Sequence, residues 1–541
     1  MRGGGFTFSQ VPSAQIPRSR FDRSHGHKTT FDAGSLIPIF VDEALPGDTY
    51  DVQASLFARL ATPLVPIMDN LYLDVFWFAI PNRLVWDNWQ KFCGEQTNPG
   101  DSIDFLVPQV DAGAQGFQIG SLFDYMGCPL NVPDIKVSAL FPRAYQLVWN
   151  EWFRDENLQD SLVITKGDAL SPATDFGLRP RGKRHDYFTS CLPWPQKGEG
   201  VGISLGESAP VLPLAANQAP LFKTFSITSP STLYAPAGAD VTDRQIYMAG
   251  AQGTSVDQSV EWSDPGLYAD LSQAEAVTIN SLRQAFQIQK LLERDARGGT
   301  RYVELLKSHF GVTSPDFRLQ RPEFLGGGTI PVNINPVAQT SPTGSYATTP
   351  QGNLAAFGVA GGSRGMGFTK SFVEHSIILG LVSVRADLSY QQGLPRMFSR
   401  RTRYDFYWPA FAHLGEQAVL NQEIYTQDPS VLDPATGKPV NESVWGYQER
   451  WAEYRYAPAK ITGKFRSNTP NVGWQTLDFW HLAQEFDSLP TLGNQFIREN
   501  PPVARMLAVQ TEPHFLFDSH FKMRCTRPMP TYSVPGLIDH F

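Results

Sequence analysis

Glycine and proline interrupt this sequence so often that most segments between them are long enough only for a strand. The chain contains 45 glycines and 42 prolines among 541 residues, and both residue types disfavour the interior of a helix. Asn70–Ile80 begins with alternating apolar and polar residues and then becomes apolar on both faces, which is typical of a strand buried in a sandwich. Phe521, Met523 and Cys525 alternate with polar residues. The sequence therefore predicts a mainly β protein.

Two further segments are predicted to be extended, and a few segments are predicted to be helical. Ser371–Ala386 is predicted to be a strand or a bent pair of strands in which Gly380 allows a bulge, and Glu449–Tyr456 is predicted to be a half-buried strand. The helix predictions rest on apolar residues three and four positions apart and on capping residues such as Ser272. The predicted helices are Leu84–Phe92, Ala144–Arg154, Ser272–Arg297 and Thr300–Phe310.

Two long segments stand apart from the strand pattern. Residues 196–262 are rich in small residues and proline, and residues 326–369 form a glycine-rich segment. They could be simple connections, but loops of this length in a compact protein are usually functional or disordered. Short strands separated by such long loops favour a jelly roll, an eight-stranded antiparallel β-sandwich or barrel, with large insertions and a few α-helices. The sequence predicts a surface insertion at 196–262 and a loop at 326–369.

The composition favours a subunit of a larger assembly. Charged residues make up only 18% of the chain and aromatic residues 12%, with 31 arginines against 14 lysines. Depletion of charge together with enrichment of aromatic residues and arginine is characteristic of buried interfaces. A large, aromatic-rich monomeric enzyme could have the same composition. The net charge of −8 argues against a protein whose whole surface binds nucleic acid.

Positive charge is concentrated at the N-terminus. Residues 1–30 carry five arginines or lysines and one aspartate, and we interpret them as a basic arm that precedes a single domain at 31–541. Arginines interleaved with aromatic rings can neutralise phosphates and stack on bases. An arm that contacts solvent or a neighbouring subunit explains the same residues equally well. The candidate DNA contacts are Arg18, Arg20, Arg23 and Lys28, which lie close to Phe21 and His25.

A second arginine cluster precedes a strand-like aromatic segment. Arg396, Arg400, Arg401 and Arg403 lead into Tyr404–Trp408. We interpret these arginines as partners in ion pairs between subunits rather than as contacts to nucleic acid.

No catalytic residue, cofactor site or metal site is predicted. Gly202–Gly206 matches the GxSxG pattern around Ser204, but the flanking residues fit neither the strand nor the helix that a nucleophile elbow needs. His25 and His27 alone are too few ligands to predict a metal site, and the four cysteines are too far apart for a zinc site. The start of the sequence lacks the apolar region of a signal peptide, and the apolar run Ile377–Val384 is too short to span a membrane.

Several long segments closely resemble the major capsid proteins of the Microviridae, most of all those of the gokushovirus-type branch. The resemblance extends over essentially the whole chain, and its long motifs are specific. The segments that carry it include IPRSRFDRSHGHKTTFDAG (Ile16–Gly34), PIFVDEALPGDTY (Pro38–Tyr50), FARLATPLVPIMDNLYLDVFWFAIPNRLVWDNW (Phe57–Trp89), GYQERWAEYRYAPAKITGKFRS (Gly446–Ser467) and RPMPTYSVPGLIDHF (Arg527–Phe541).

The resemblance implies a structural protein rather than an enzyme. It implies a viral jelly roll that self-assembles into a T=1 icosahedral shell around a circular single-stranded DNA genome. It also implies assembly in the cytoplasm of a host bacterium with the help of an internal scaffolding protein. The further partners that it implies are a minor or pilot protein, a small DNA-binding protein of the phage and a host surface receptor. Residues 196–262 correspond to the variable insertion of that branch, which is expected to protrude and to serve in host attachment. A carbohydrate-active β-sandwich enzyme and a DNA-binding module are the alternatives from other classes.

Overall fold

The computed structural model describes residues 17–201, 279–298, 301–311, 320–338, 354–363, 365–434, 436–467 and 476–532, together with six short strands between 211 and 269. The chain divides into two compact units, residues 1–195 with 295–541, and residues 196–294. A ten-stranded sheet forms the larger unit. Its strands are β1 (Ser19–Asp22), β2 (His25–Phe31), β3 (Ile37–Ala44), β4 (Thr49–Leu60), β5 (Leu71–Pro81), β6 (Glu323–Ala338), β7 (Leu354–Gly362), β8 (Phe368–Ser371), β9 (Ser376–Ala386) and β10 (Phe515–Arg527).

The ten strands curl into a jelly-roll sandwich. Neighbouring strands follow the order β1-β10-β4-β7-β6-β5-β9-β3, with β2 also paired to β10 and β8 to β4. All of these pairs are antiparallel. Strand β6 joins the two halves, because residues 323–332 pair with β5 and residues 333–338 pair with β7. The predicted mainly β, jelly-roll class is confirmed.

Strand β5 is buried on both faces, as the sequence of Asn70–Ile80 predicts. Leu73, Val75 and Trp77 belong to the apolar core enclosed by the curled sheet. Phe78 and Ile80 belong to a second apolar cluster on the opposite face. That second cluster contains helix α1 (Leu140–Val148), in which all residues except Phe141 are buried. The sheet therefore has a second apolar layer behind it, which covers β5 and β9.

The structure places strands in the glycine-rich segment 326–369, where the sequence predicts a loop. Gly327 and Gly328 lie in β6, where a side chain would collide with the backbone at Gly327 and would have to displace the flexible Met366 side chain at Gly328. A Cβ atom on Gly327 would lie 2.3 Å from the carbonyl oxygen of Val75, and one on Gly328 would lie 2.6 Å from the sulfur of Met366. These glycines permit close packing within the sheet, and sequence composition alone does not distinguish this use from a loop.

Gly380 marks a bulge, as predicted. The pairing of β9 with β3 shifts register between Gly380 and Leu381. The strand predicted at Glu449–Tyr456 is wrong, because the strand there ends at Glu449 and Ala452–Arg455 forms a helical turn. Trp451 lies between them with a φ of 70°, a left-handed conformation that ends the extended chain.

The longer helices agree with the sequence in their positions but not in all their ends. Helix α2 (Ile279–Arg297) ends where predicted, and the predicted start at Ser272 lies outside the described residues. Helix α3 (Tyr302–Phe310) ends at Gly311, whose φ of 70° is a typical helix C-cap. A wider helical turn, Trp149–Phe153, continues α1. The other short helices are Trp89–Phe92, Leu122–Tyr125, Asn421–Ile424, Ala452–Arg455 and Asn494–Ile497. Within the predicted helix Leu84–Phe92, only Trp89–Phe92 is α-helical.

Short strands form small sheets outside the main one. In the larger unit these are Gln109–Asp111 with Lys136–Ser138 and Ser171–Pro172, Ser389–Tyr390 with Ala459–Lys460, and Glu416–Leu420 with Val444–Glu449. The smaller unit contains Val211–Pro213 paired with Leu267–Ala269, and Leu221–Lys223, Ser231–Tyr234, Tyr247–Met248 and Glu261–Asp264 in one sheet. The surface insertion at 196–262 stays a prediction, and Ser204 lies outside the described residues.

Replacing Trp77 with alanine is expected to destabilise the larger unit severely. The Trp77 side chain is fully buried, its ring packs against those of Phe40, Phe368 and Phe521, and its Nε1 donates to the carbonyl oxygen of Met366 over 3.2 Å. Trp77→Ala should lower the free energy of unfolding by about 3–5 kcal/mol. The matched control is Trp408→Ala, since Trp408 is 51% exposed. Equal thermal unfolding midpoints for the two variants would contradict the burial of β5.

Candidate functional site

The N-terminal basic residues lie in the main sheet from residue 19 onward. Strands β1 and β2 run antiparallel along β10, from Ser19 opposite Arg527 to Phe31 opposite Phe515. The backbone nitrogen of Arg23, between the two strands, donates to the carbonyl oxygen of Met523 over 3.0 Å. Residues 19–31 therefore form an edge of the sheet, and this part of the predicted arm is not a free tract.

Arg23 is held in a network of buried polar groups. Its two terminal nitrogens donate to the two carboxylate oxygens of Asp42 over 2.6 and 3.0 Å. The Tyr50 hydroxyl accepts from Arg23 over 3.2 Å and from Arg527 over 2.8 Å. Burial, reinforced by the charge of Asp42, raises the pKa of Tyr50 far above its ordinary value. Arg527 also forms an ion pair of 2.7 Å with fully buried Asp48. The network joins the first strands to the last strand.

The other three candidate DNA contacts are exposed. Lys28 forms an ion pair of 3.0 Å with Asp518, in which both side chains are largely accessible to solvent. Arg18 donates to the carbonyl oxygen of Gly47 and to the Thr49 hydroxyl. Arg20 has no ion pair among the described residues. Of the four candidates, Arg23 uses both terminal nitrogens within the chain, on Asp42 and Tyr50, while Arg18, Arg20 and Lys28 are exposed.

The rings near the N-terminus are used in packing. His25 lies with its ring centroid 5.7 Å from that of Phe40 and 5.3 Å from that of Phe521. Burial and the nearby His25 lower the pKa of His27. No cluster of three or more histidine, cysteine, aspartate or glutamate side chains suited to a metal ion occurs among the residues that the structure describes.

The second arginine cluster binds carboxylates within the chain. Arg396 forms an ion pair of 3.0 Å with Glu423, and Arg400 one of 3.1 Å with Glu453. The Tyr187 hydroxyl donates to Glu423 over 2.8 Å. Burial raises the pKa of Glu423, while the charge of Arg396 opposes that rise. Two of the four arginines that the sequence suggested for contacts between subunits are therefore used in a rigid internal network.

This network supports a surface of exposed apolar side chains, which we call the aromatic surface. Its members are 46–67% exposed: Met397, Phe398, Tyr404, Phe406, Tyr407, Trp408, Leu414, Tyr454 and Tyr456. Sequence patterning predicts a strand for Tyr404–Trp408, but this segment begins within a short helical turn at Arg403–Asp405 and is irregular after it. The alternation of apolar and polar residues along the sequence does not predict this surface. Its members come from turns and irregular segments, such as those around Tyr404 and Tyr454, that are distant in sequence.

Hydrogen bonds and ring contacts hold the aromatic surface in place. The guanidinium of Arg400 lies 4.3 Å from the ring of Tyr454 and 5.5 Å from that of Phe406. The ring centroids of Tyr407 and Trp451 are 5.7 Å apart, with the rings nearly perpendicular. Trp408 Nε1 donates to the carbonyl oxygen of Arg403 over 3.0 Å. The exposed rings are thus fixed before any partner binds.

Comparison with known proteins agrees with a structural shell protein that has a jelly-roll fold. Residues 9–537 match the family described as "Capsid protein (F protein)". The chain is 47% identical to capsid protein VP1 of Bdellovibrio phage phiMH2K over 99% of this chain and 98% of that protein. It is 45% identical to capsid protein VP1 of Chlamydia phage 1, over 98% of this chain and 97% of that protein. The third relative, capsid protein VP1 of Spiroplasma virus 4, is 36% identical over 98% of this chain and 97% of that protein.

These proteins define a class of viral shell proteins. The chain belongs to the phage F-type capsid protein family of the Microviridae, and it is a structural protein of the virion rather than an enzyme. Among the described helices, none has enough length and apolar character to cross a membrane.

Replacing Arg23 should destabilise the sheet, whereas replacing Arg20 should not. Arg23→Gln removes the two hydrogen bonds to Asp42, whose side chain is only 13% exposed. Leaving a largely buried charged group without its partner costs about 1–3 kcal/mol. Arg20→Gln is the control, because a change at an exposed site away from such networks stays within about 0.5 kcal/mol. Chemical denaturation of both variants measures the difference, and equal values would show that the network does not hold the N-terminal strands.

Proposed function

We propose that this chain forms a T=1 icosahedral shell that encloses a circular single-stranded DNA genome. In this proposal the shell is assembled in the cytoplasm of a host bacterium with an internal scaffolding protein, a minor or pilot protein and a small DNA-binding protein of the phage. The family membership and the jelly-roll fold support the proposal. The four cysteines are free, which fits assembly in a reducing compartment.

The aromatic surface is the observation that carries this proposal. Monomeric soluble proteins rarely expose large apolar patches, and such patches mark contact sites. Tyrosine, tryptophan and arginine dominate the residues that contribute most to binding between proteins. The internal ion pairs of Arg396 and Arg400 fix the rings, so little conformational entropy remains to be lost on association. We assign the aromatic surface to the contact with a second copy of the chain.

Repetition of a small set of contacts between copies is sufficient to close a shell. A contact that joins different surfaces of two copies forms a closed ring when its rotation divides a full turn. A T=1 shell needs such rings at its fivefold and threefold axes and a self-complementary contact at its twofold axes. All chains are equivalent in this arrangement. The aromatic surface of each chain therefore makes the same contact with its neighbour throughout the shell.

The N-terminal cations support the contact with DNA. Arg18, Arg20 and Lys28 remain accessible in the structure and are the contacts that we propose, while Arg23 has a structural role. Each phosphate neutralised on a single strand contributes about 0.7 to the slope of log affinity against log salt concentration. With a net charge of −8 on the chain, most of the genome's charge is left to the small DNA-binding protein and to counterions.

Trp408→Ala should block assembly without unfolding the chain. Trp408 lies in the aromatic surface and is half exposed, so its removal leaves the core intact and deletes part of the proposed contact. The expected result is a soluble, folded chain that forms few or no shells when it is coexpressed with the scaffolding protein. Sedimentation and negative-stain electron microscopy measure the yield of shells.

Tyr532→Ala is the control for the assembly experiment. Tyr532 is 80% exposed and lies outside the aromatic surface, so its replacement should leave assembly unchanged. A wild-type yield of shells from Trp408→Ala, with an unchanged thermal midpoint, would remove Trp408 from the contact between copies.

The smaller unit is proposed to serve in host attachment. Residues 196–294 form a compact unit of their own, and the predicted insertion 196–262 lies within it. Replacing 196–262 with a short glycine-serine linker should leave the fold of the larger unit intact and should abolish adsorption to host cells. Circular dichroism and shell yield control for folding, and adsorption at the wild-type rate would disprove the role of the insertion.

A further inference from the structure

A large open cavity lies in the larger unit. Its volume is about 980 Å³. The segment after α1, the segment 181–192, the end of α2 and helix α3 supply most of its wall. Every residue that lines it belongs to the larger unit. Pockets for small molecules usually have volumes of about 300–1,000 Å³, so the cavity can hold a group as large as a nucleotide.

The lining of this cavity is basic, although the chain as a whole is acidic. Seven arginine or lysine side chains line it, against three carboxylates. Two of the carboxylates, those of Glu156 and Glu304, bind Arg301. Two more arginines have partners behind the lining, since Arg181 pairs with Asp74 and Arg297 with Glu416. After these pairs are formed, the arginines and lysines still outnumber the carboxylates.

Two of the remaining basic groups are available to a ligand. Arg184 and Lys307 are exposed, and within the described ranges neither side chain forms an ion pair or a hydrogen bond. Arg154 donates to the carbonyl oxygen of Gln159 over 2.8 Å and its Nε is buried, so it adds positive charge to the wall rather than a free donor.

Aromatic rings form part of the same wall. Phe76, Trp152 and Phe153 line the cavity and are partly buried. The ring centroids of Phe76 and Phe153 are 5.1 Å apart with the rings nearly perpendicular, which fixes their orientation. Cations beside fixed rings are the combination with which proteins bind the phosphates and bases of a single strand. An inorganic phosphate ion would use the cations but not the rings, and it would fill only a small part of the volume.

We propose that this basic cavity binds one or two nucleotides of single-stranded DNA, with Arg184 and Lys307 as phosphate contacts. The inference rests on the proposed function, because it assigns the enclosed genome a second contact region, apart from the N-terminal strands. Trp152 and Phe153 provide surfaces for a base.

Salt-dependent binding of the purified full-length chain to a fluorescein-labelled oligothymidylate tests the assignment. The double variant Arg184→Gln/Lys307→Gln should flatten the slope of log affinity against log salt concentration by about 1.4, since each lost phosphate contact removes about 0.7. Lys438→Gln is the matched control, because Lys438 is exposed and lies outside the cavity. It should leave the slope unchanged. Arg184→Lys/Lys307→Arg should retain the wild-type slope, and equal thermal midpoints should confirm that all variants fold.

Competitors distinguish a strand from other anions. Unlabelled oligothymidylate is first titrated to find the phosphate concentration at which it displaces half of the label. Thymidine monophosphate is then added at the same phosphate concentration, and poly-glutamate at the same concentration of carboxylate. Neither should displace the label to a comparable extent. Equal displacement by thymidine monophosphate would assign the cavity to a free nucleotide, and equal displacement by poly-glutamate would assign it to an acidic peptide. Either result would overturn the proposal.

The remaining outcomes separate the cavity from the proposed function. If the wild-type chain binds the strand and the double variant binds it with the same slope, the cavity assignment is wrong while the enclosed genome stands. If the wild-type chain does not bind the strand and its shells contain no DNA, both the cavity assignment and the proposed enclosure of DNA fail.

Discussion

Burial of β5 on both faces fixes how the layers of the larger unit are arranged. One face supplies Leu73, Val75 and Trp77 to the core inside the curled sheet, and the other packs against the layer that contains α1. A strand with apolar side chains on both faces cannot lie on a surface, so the chain must provide a covering layer on each side. The segment 84–178 supplies most of that outer layer, and Tyr145 anchors it through a hydrogen bond of 2.9 Å from its hydroxyl to the carbonyl oxygen of Leu36.

One charged residue in β5 ties these layers together. Asp74 is buried and accepts hydrogen bonds from Thr329 over 2.6 Å, from Arg385 over 2.8 Å and from Arg181. Burial alone would raise the pKa of Asp74, but the charge of Arg181 and these hydrogen bonds hold it below its ordinary value. Removing one member of a buried ionic group leaves the others uncompensated, so Asp74 links β5 to β6, to β9 and to the segment that carries Arg181.

The surfaces proposed for contact depend on the same use of buried charge. Glu423 and Glu453 neutralise Arg396 and Arg400 inside the chain, and the guanidinium of Arg400 then supports the rings of Tyr454 and Phe406. In the basic cavity, by contrast, Arg184 and Lys307 have no such partner in the described part of the chain. The difference gives the two regions different chemistry. The aromatic surface presents apolar rings above arginines whose charge is already neutralised, which suits a protein partner. The basic cavity presents cations without a carboxylate partner, which suit phosphate.

Sequence patterns are enough to predict the class of fold, the doubly buried strand at Asn70–Ile80, the bulge at Gly380, the ends of helices α2 and α3 at Arg297 and Gly311, and the family. These features depend on residues that are neighbours in sequence, where apolar periodicity, caps and glycine act locally. Packing between distant segments, by contrast, places Gly327 and Gly328 in a strand, pairs Arg23 with Asp42 and turns the chain at Trp451. It also brings Arg184 and Lys307, which are far apart in sequence, into the lining of one cavity. Each of these depends on groups brought together from distant parts of the chain, and local sequence patterns contain no record of such contacts.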